Sequence, residues 1–171
     1  MMMRPITSSC LRLFLTIVLL SAVIHAETGE QAWLRYAPLS AQEAKQCEGL
    51  PSNLVVLGDS ALLKSAQQEL TRGVEAMLGK KLASSNSLPW GGPAIVLGTV
   101  ESVRAAIPDL QLPALGQDGY WLATKKAGGQ ERILIAGSDD RGALYGSFAL
   151  LQKIALAENI EYLEETHTKN P

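Results

Sequence analysis

The side chains that could do chemistry in this 171-residue chain are few and far apart. Ser60 follows Gly58-Asp59 at the end of an apolar run, where a nucleophilic serine can stand; His167, with Glu164 three residues before it, could act as base and supporting carboxylate. Asp139-Asp140-Arg141 offers adjacent acids. Glycoside hydrolysis uses two carboxyl groups flanking the scissile bond, about 5 Å or 6.5–9.5 Å apart, whereas neighbouring acids in front of a helical pattern cap it and complement its dipole. Gly73 to Lys80 looks superficially like a phosphate loop. It is one residue too long, no Ser or Thr follows the lysine, and Gly73 falls inside a helical pattern, so it reads as a packing glycine.

Trp90 sits in the turn-rich stretch 83–93 (Ala-Ser-Ser-Asn-Ser-Leu-Pro-Trp-Gly-Gly-Pro), which reads as a surface loop. Its ring could stack on a sugar, dock on a partner domain or tuck over its own core. Trp33, Tyr36, Tyr120, Trp121 and Tyr145 face the same choice.

The amino terminus has the form of a secretory signal. Arg4 and Arg12 flank a short apolar core, Leu13 to Ile24, and Ile24 and Ala26 suit cleavage after Ala26. The core is shorter than the roughly 20 residues that span a bilayer, so residues 1–26 are expected to leave an exported, periplasmic or extracellular product. Cys10 and His25 depart with the leader. The mature chain keeps one cysteine, Cys47, and one histidine, so it has no internal disulfide, and no metal-ligand cluster or cofactor is expected. Loss of Arg4 and Arg12 from 15 basic residues leaves 13 against 17 acidic, net −4, which gives nucleic acid nothing to bind.

Short apolar runs alternating with helical patterns specify a layered α/β domain. Leu54 to Leu57 read as a buried strand; Leu63, Ala66, Leu70, Gly73, Val74 and Met77 then line one helix face, with Ser60 as N-cap and Gly79 at the C-terminal cap. Ala94 to Gly98 make a second strand, and Glu101 to Ile107 a short helix ended by Pro108. Tyr120 to Thr124 and Arg132 to Ala136 make an antiparallel pair about Gly128-Gly129. A last helix follows Asp139-Asp140, with Leu144, Phe148, Leu151 and Ala155 on its inner face. The expected architecture is an α/β (α+β two-layer) domain over residues 27–163, a mixed sheet with helices mainly on one face. Residues 164–171 read as the start of a polar linker.

That final order, Gly119-Tyr120-Trp121-Leu122, an apolar strand, then Gly142-Ala143-Leu144-Tyr145-Gly146-Ser147-Phe148-Ala149-Leu150-Leu151, resembles the amino-terminal domain of the α-glucuronidases of glycoside hydrolase family 67. The resemblance runs upstream through Ile95-Val96-Leu97-Gly98-Thr99 and Leu54-Val55-Val56-Leu57-Gly58 to Trp33-Leu34-Arg35-Tyr36, covering nearly all of residues 33 to 160. More loosely, the segment is similar to the non-catalytic domain preceding the barrel in β-N-acetylhexosaminidases. The resemblance implies an enzyme that removes glucuronic acid, often 4-O-methylated, from xylan fragments, using carboxylates on a following (β/α)8 barrel. Such a barrel takes about 250 residues, more than this chain offers, so no catalytic residue carries over. The chain is expected to be a truncated, non-catalytic domain whose partner is that absent barrel.

Two other readings stay open. A stand-alone module could bind xylan oligosaccharides or dock a partner through Trp90 or through a sheet face that lacks helices. More remotely, Gly58-Asp59-Ser60 is similar to the nucleophile block of the GDSL esterases, but those hydrolases carry Asp where Glu164 stands, and their glycine and asparagine blocks for the oxyanion hole are missing.

Overall fold

The computed structural model describes residues 36–88 and 91–168. The expected leader, Trp33 and Trp90 lie outside them. Six strands, β1 (Asn53–Leu57), β2 (Ala83–Ser85), β3 (Ala94–Thr99), β4 (Tyr120–Ala127), β5 (Gln130–Gly137) and β6 (Glu164–His167), form one mixed sheet in the order β2-β1-β3-β5-β4-β6. The first four in that order are parallel; β4 runs against β5, and β6 against β4. The helices are α1 (Ala41–Ala44), α2 (Ala61–Leu78), α3 (Val100–Ala106) and α4 (Asp140–Ala155). Parallel neighbours need crossovers, which is why α2 and α3 follow β1 and β3. None of these helices is long and apolar enough to cross a membrane.

The period-2 alternation of the strands divides the core. Leu54, Ile95, Leu122 and Ile135 face α2 and α4, while Val55, Val96, Trp121 and Leu134 face the other way. Every one of them is at most 2% exposed, so the central strands are buried on both faces. Helix α2 buries Leu63, Ala66, Leu70, Gly73, Val74 and Met77, the stripe its 3.6-residue period predicts. Ser60 Oγ accepts from Leu63 N at 3.2 Å, and Gly79 ends the helix at φ +64°. Gly73 is a packing glycine: a Cβ there would stand 2.6 Å from Leu151 Cδ2 and 3.2 Å from the Tyr36 ring.

Four expectations change. Helices are mainly on one face, but the second face is not bare, because Val103 of α3, Ile107 and the partly buried Leu110, Leu112 and Leu115 cover it. That coverage is irregular, so no helical period announces it. Residues 83–85, read as loop, pair in parallel with β1 as an edge strand. Residues 164–167, read as linker, pair with Tyr120–Ala123. Both segments are polar because an edge strand needs only its backbone to complete the ladder. The inner face of α4 is centred on Ala143, Ser147, Leu150 and Ile154, with Leu144 and Phe148 only partly buried. Gly146 allows this close approach, since a Cβ there would meet Ile135 Cγ2 at 2.8 Å.

Candidate functional site

Two of the residues read as catalytic candidates, Ser60 and Asp139, stand at the carboxyl ends of parallel strands and cap helices there. Ser60, Thr99 and Asp139 are the N-caps of α2, α3 and α4. Asp139 does most: Oδ1 accepts from Gly142 N at 2.9 Å and Oδ2 from Asp118 N at 3.1 Å. Burial works to raise its pKa, but the N–H groups of Gly142, Asp118 and Arg141 outweigh it and hold the carboxyl below the usual range. Asp118 is itself buried at φ +56° and accepts from Arg141 Nη1 at 3.1 Å. Asp118, Asp139 and Arg141 thus clasp the entry to β4 against the start of α4. Asp139 is occupied by backbone donors and Asp118 by the Arg141 guanidinium.

Ser60 and His167 stand at the same end of the sheet but on strands four places apart, roughly 19 Å at about 4.8 Å per strand. A serine–histidine pair therefore does not assemble. His167 instead stacks on Tyr120, with ring centroids 5.4 Å apart. Glu164 accepts from Trp121 Nε1 at 2.8 Å and pairs with Lys125. Glu165 accepts from Tyr120 Oη at 2.5 Å and pairs at 3.0 Å with Lys153, which also reaches Glu158 at 3.1 Å. Tyr120 and Trp121 are engaged in these contacts, and Tyr145 packs, partly buried, against the core. Tyr36 is buried, donates to Glu69 Oε2 at 2.9 Å and lies under Arg72; burial and Glu69 push its pKa up to about 12. Among the described residues no group of three or more His, Cys, Asp and Glu side chains could hold a metal ion.

Two of the cavities beside the β4–β5 hairpin share Arg132. One of about 630 Å³ is bordered by Thr124, Glu131, Arg132, Glu161 and the exposed Tyr162. The other, of about 350 Å³, lies between the hairpin turn and the segment 107–111, with Leu88, Ile107, Leu110, Lys126 and Arg132 in its wall. Arg132 is common to both and is only 5% exposed. Burial lowers its pKa from the ordinary guanidinium value.

The clasp of Asp118, Asp139, Arg141 and Gly142 falls wholly within residues 32–150, which match the family model "Glycosyl hydrolase family 67 N-terminus". The chain belongs to this family. The family 67 domain is 37% identical over 161 residues to "Probable alpha-glucuronidase A" of Aspergillus oryzae, covering 90% of this chain and 19% of the relative. It is also 37% identical over 142 residues to alpha-glucuronidase A of Emericella nidulans, covering 80% of this chain and 16% of the relative. The chain thus spans about a fifth of the length of these relatives. Among solved structures it is similar to a family GH115 4-O-methyl-α-glucuronidase, BtGH115A, with specificity for decorated arabinogalactans. The TM-score is 0.50 at 20% identity, over 62% of this chain and 14% of that one, a likeness of fold.

Sequence reasoning passed over Asp118 and Arg132 in this family 67 domain. Arg132 had a signal, a single cation opening the apolar run Ile133 to Ala136. Asp118 had none, because its role depends on a positive φ that only the assembled turn requires.

Proposed function

We propose that this chain is the exported, non-catalytic N-terminal part of an α-glucuronidase that removes glucuronic acid, including its 4-O-methyl form, from xylan oligosaccharides, with bond cleavage carried out by a (β/α)8 barrel. The observation that carries this reading is the family 67 N-terminal match over residues 32–150, within a chain that corresponds to about a fifth of relatives named alpha-glucuronidase A. The commitment of Ser60, Asp139, Glu164 and Glu165 to caps and strand contacts supports an accessory role, since the serine is held as a cap and the three acids are held by donors of the domain itself. Residues 1–26 act as the export signal, and Trp90 is the candidate contact to sugar or barrel. Both assignments extend the sequence reading.

The test is an assay of uronic acid release from glucuronic acid-decorated xylo-oligosaccharides. The chain alone should release none, and mixing it with the separately produced catalytic portion of a family 67 relative should raise that portion's melting temperature. Release by the purified chain alone would overturn the reading. N-terminal sequencing of the exported product should begin at Glu27.

A further inference from the structure

Arg132 is a buried cation that the domain itself leaves unanswered. It pairs across the sheet with Lys125 and lies on the face of Leu134 and Ala136. Its Nε donates to Ala127 O at 3.1 Å, while Nη1 is shut from solvent without a hydrogen-bond partner. No ion pair among the described residues includes it. Buried arginines are normally paired, and a buried charged donor without an acceptor is a standing desolvation cost.

The position of the guanidinium selects one cavity. Its Nη2 is 3.9 Å from where a Cβ on Gly128 would stand, beside the turn that borders the 350 Å³ cavity. That volume falls in the ligand-pocket range of about 300–1,000 Å³. Its charged wall residues are Lys126 and Arg132 against Asp109, net +1. In the larger cavity Arg132 faces Glu131 and Glu161, net −1, which disfavours an anion. Ile107 and Leu110 give the smaller cavity an apolar side that can cover carbon skeleton.

We propose that the cavity between the Gly128 turn and the segment 107–111 binds a small carboxylate, which the Arg132 guanidinium receives and Lys126 assists. With Nε held by Ala127 O and Nη1 enclosed, Nη2 is the guanidinium nitrogen left to meet the ligand, a charge-assisted N–H···O contact of the kind a carboxylate accepts. A free organic acid and the uronic acid unit of a saccharide share this chemistry. The site stands apart from the accessory reading, because its test needs no glycosidase activity.

The test is an NMR titration of the isotope-labelled protein at constant ionic strength with sodium D-glucuronate, sodium acetate, glucose and sodium sulfate. Glucuronate should give saturable shifts at the amides of Lys126, Ala127, Gly128 and Arg132, and glucose none. Lys126→Ala should weaken binding several-fold, and Arg132→Met should abolish it. Should Arg132→Met fail to fold, Arg132→Lys, which keeps the charge and loses the Nη2 donor, should weaken binding by about tenfold or more. Acetate binding as tightly as glucuronate would support the carboxylate site with the free acid as ligand; tighter glucuronate binding would support the saccharide unit. No saturable response up to about 100 mM, far beyond even millimolar affinity, would overturn the proposal. So would a response to sulfate or glucose equal to that of glucuronate.

Discussion

Tyr120 lies flat against His167, with ring planes 8° from parallel, while its hydroxyl donates to Glu165 at 2.5 Å. One side chain of β4 thereby holds two residues of the final strand, which backbone pairing at Tyr120–His167 and Leu122–Glu165 already aligns. Tyr120→Phe should lower unfolding free energy by about 1 kcal/mol, the worth of one hydrogen bond. Tyr120→Ala should lower it by about 3 kcal/mol or more, because packing goes as well. Deleting residues 164–171 should do at least as much damage, since Trp121 also loses its acceptor in Glu164. Urea unfolding followed by tryptophan fluorescence reads all three, and a deletion that leaves the midpoint unchanged would show that β6 is dispensable.

Acid should weaken the domain. The Lys125 ammonium and Trp121 N–H hold the Glu164 carboxyl below its usual range. Burial pushes the Glu165 carboxyl up, but hydrogen bonds from Tyr120 and Lys153 overcome it and leave the net direction downward. Asp139 is lowered in the same sense. Groups depressed in the folded state contribute stability that is fully present above their unfolded pKa of about 4 and is lost as pH falls through the folded value. The urea midpoint should therefore be nearly flat from about pH 7 to 5 and fall steadily below about pH 4. Glu165→Gln should flatten that acid limb. A midpoint that rises on acidification contradicts the assignment.

Gly142→Ala should be among the most damaging single-methyl additions in the chain. A Cβ there would stand 2.1 Å from the carbonyl oxygen of Gly119, backbone against backbone, with no flexible side chain to yield. We expect a loss of about 3 kcal/mol or more, or failure to fold. At Gly79 a Cβ meets nothing within 4 Å, so Gly79→Ala should lose only about 1–2 kcal/mol from its left-handed φ of +64°. Thermal melts of the two variants should rank in that order, and the reverse ranking would refute the clasp.

Ser60→Ala tests the cap against the nucleophile. Loss of the Ser60–Leu63 hydrogen bond should lower stability by about 1 kcal/mol. Hydrolysis of a p-nitrophenyl ester should be the same for wild type, variant and buffer. Ester turnover that disappears with Ser60 would restore the esterase reading.

The elements with strong period were legible. The α2 stripe, the Ser60 cap, the Gly79 terminus and the Gly128–Gly129 turn, with φ of +59° and +77°, all follow from local rules. The inner face of α4 was legible in part: Leu151 is fully buried and Leu144, Phe148 and Ala155 pack against the core, but Gly142, Ala143, Gly146 and Ser147 are small, and size, not hydropathy, chose the contact with Ile135 and Tyr120. The candidate chemistry was legible as residue types, but its meaning was not. Ser60, Asp139 and His167 could each have been reactive until their partners were known.

Local residue order alone decided the secondary structure of the central strands and helices and the family resemblance, because each depends on neighbours in the chain. Only the tertiary structure decided that residues 83–85 and 164–167 close the sheet edges, that Leu110, Leu112 and Leu115 cover its second face, and that Arg132 is buried beside a cavity. Those outcomes rest on backbone pairing and burial between segments distant in sequence; a short polar segment carries no local mark of either, and the cation opening the apolar run at Arg132 does not say what it lies against.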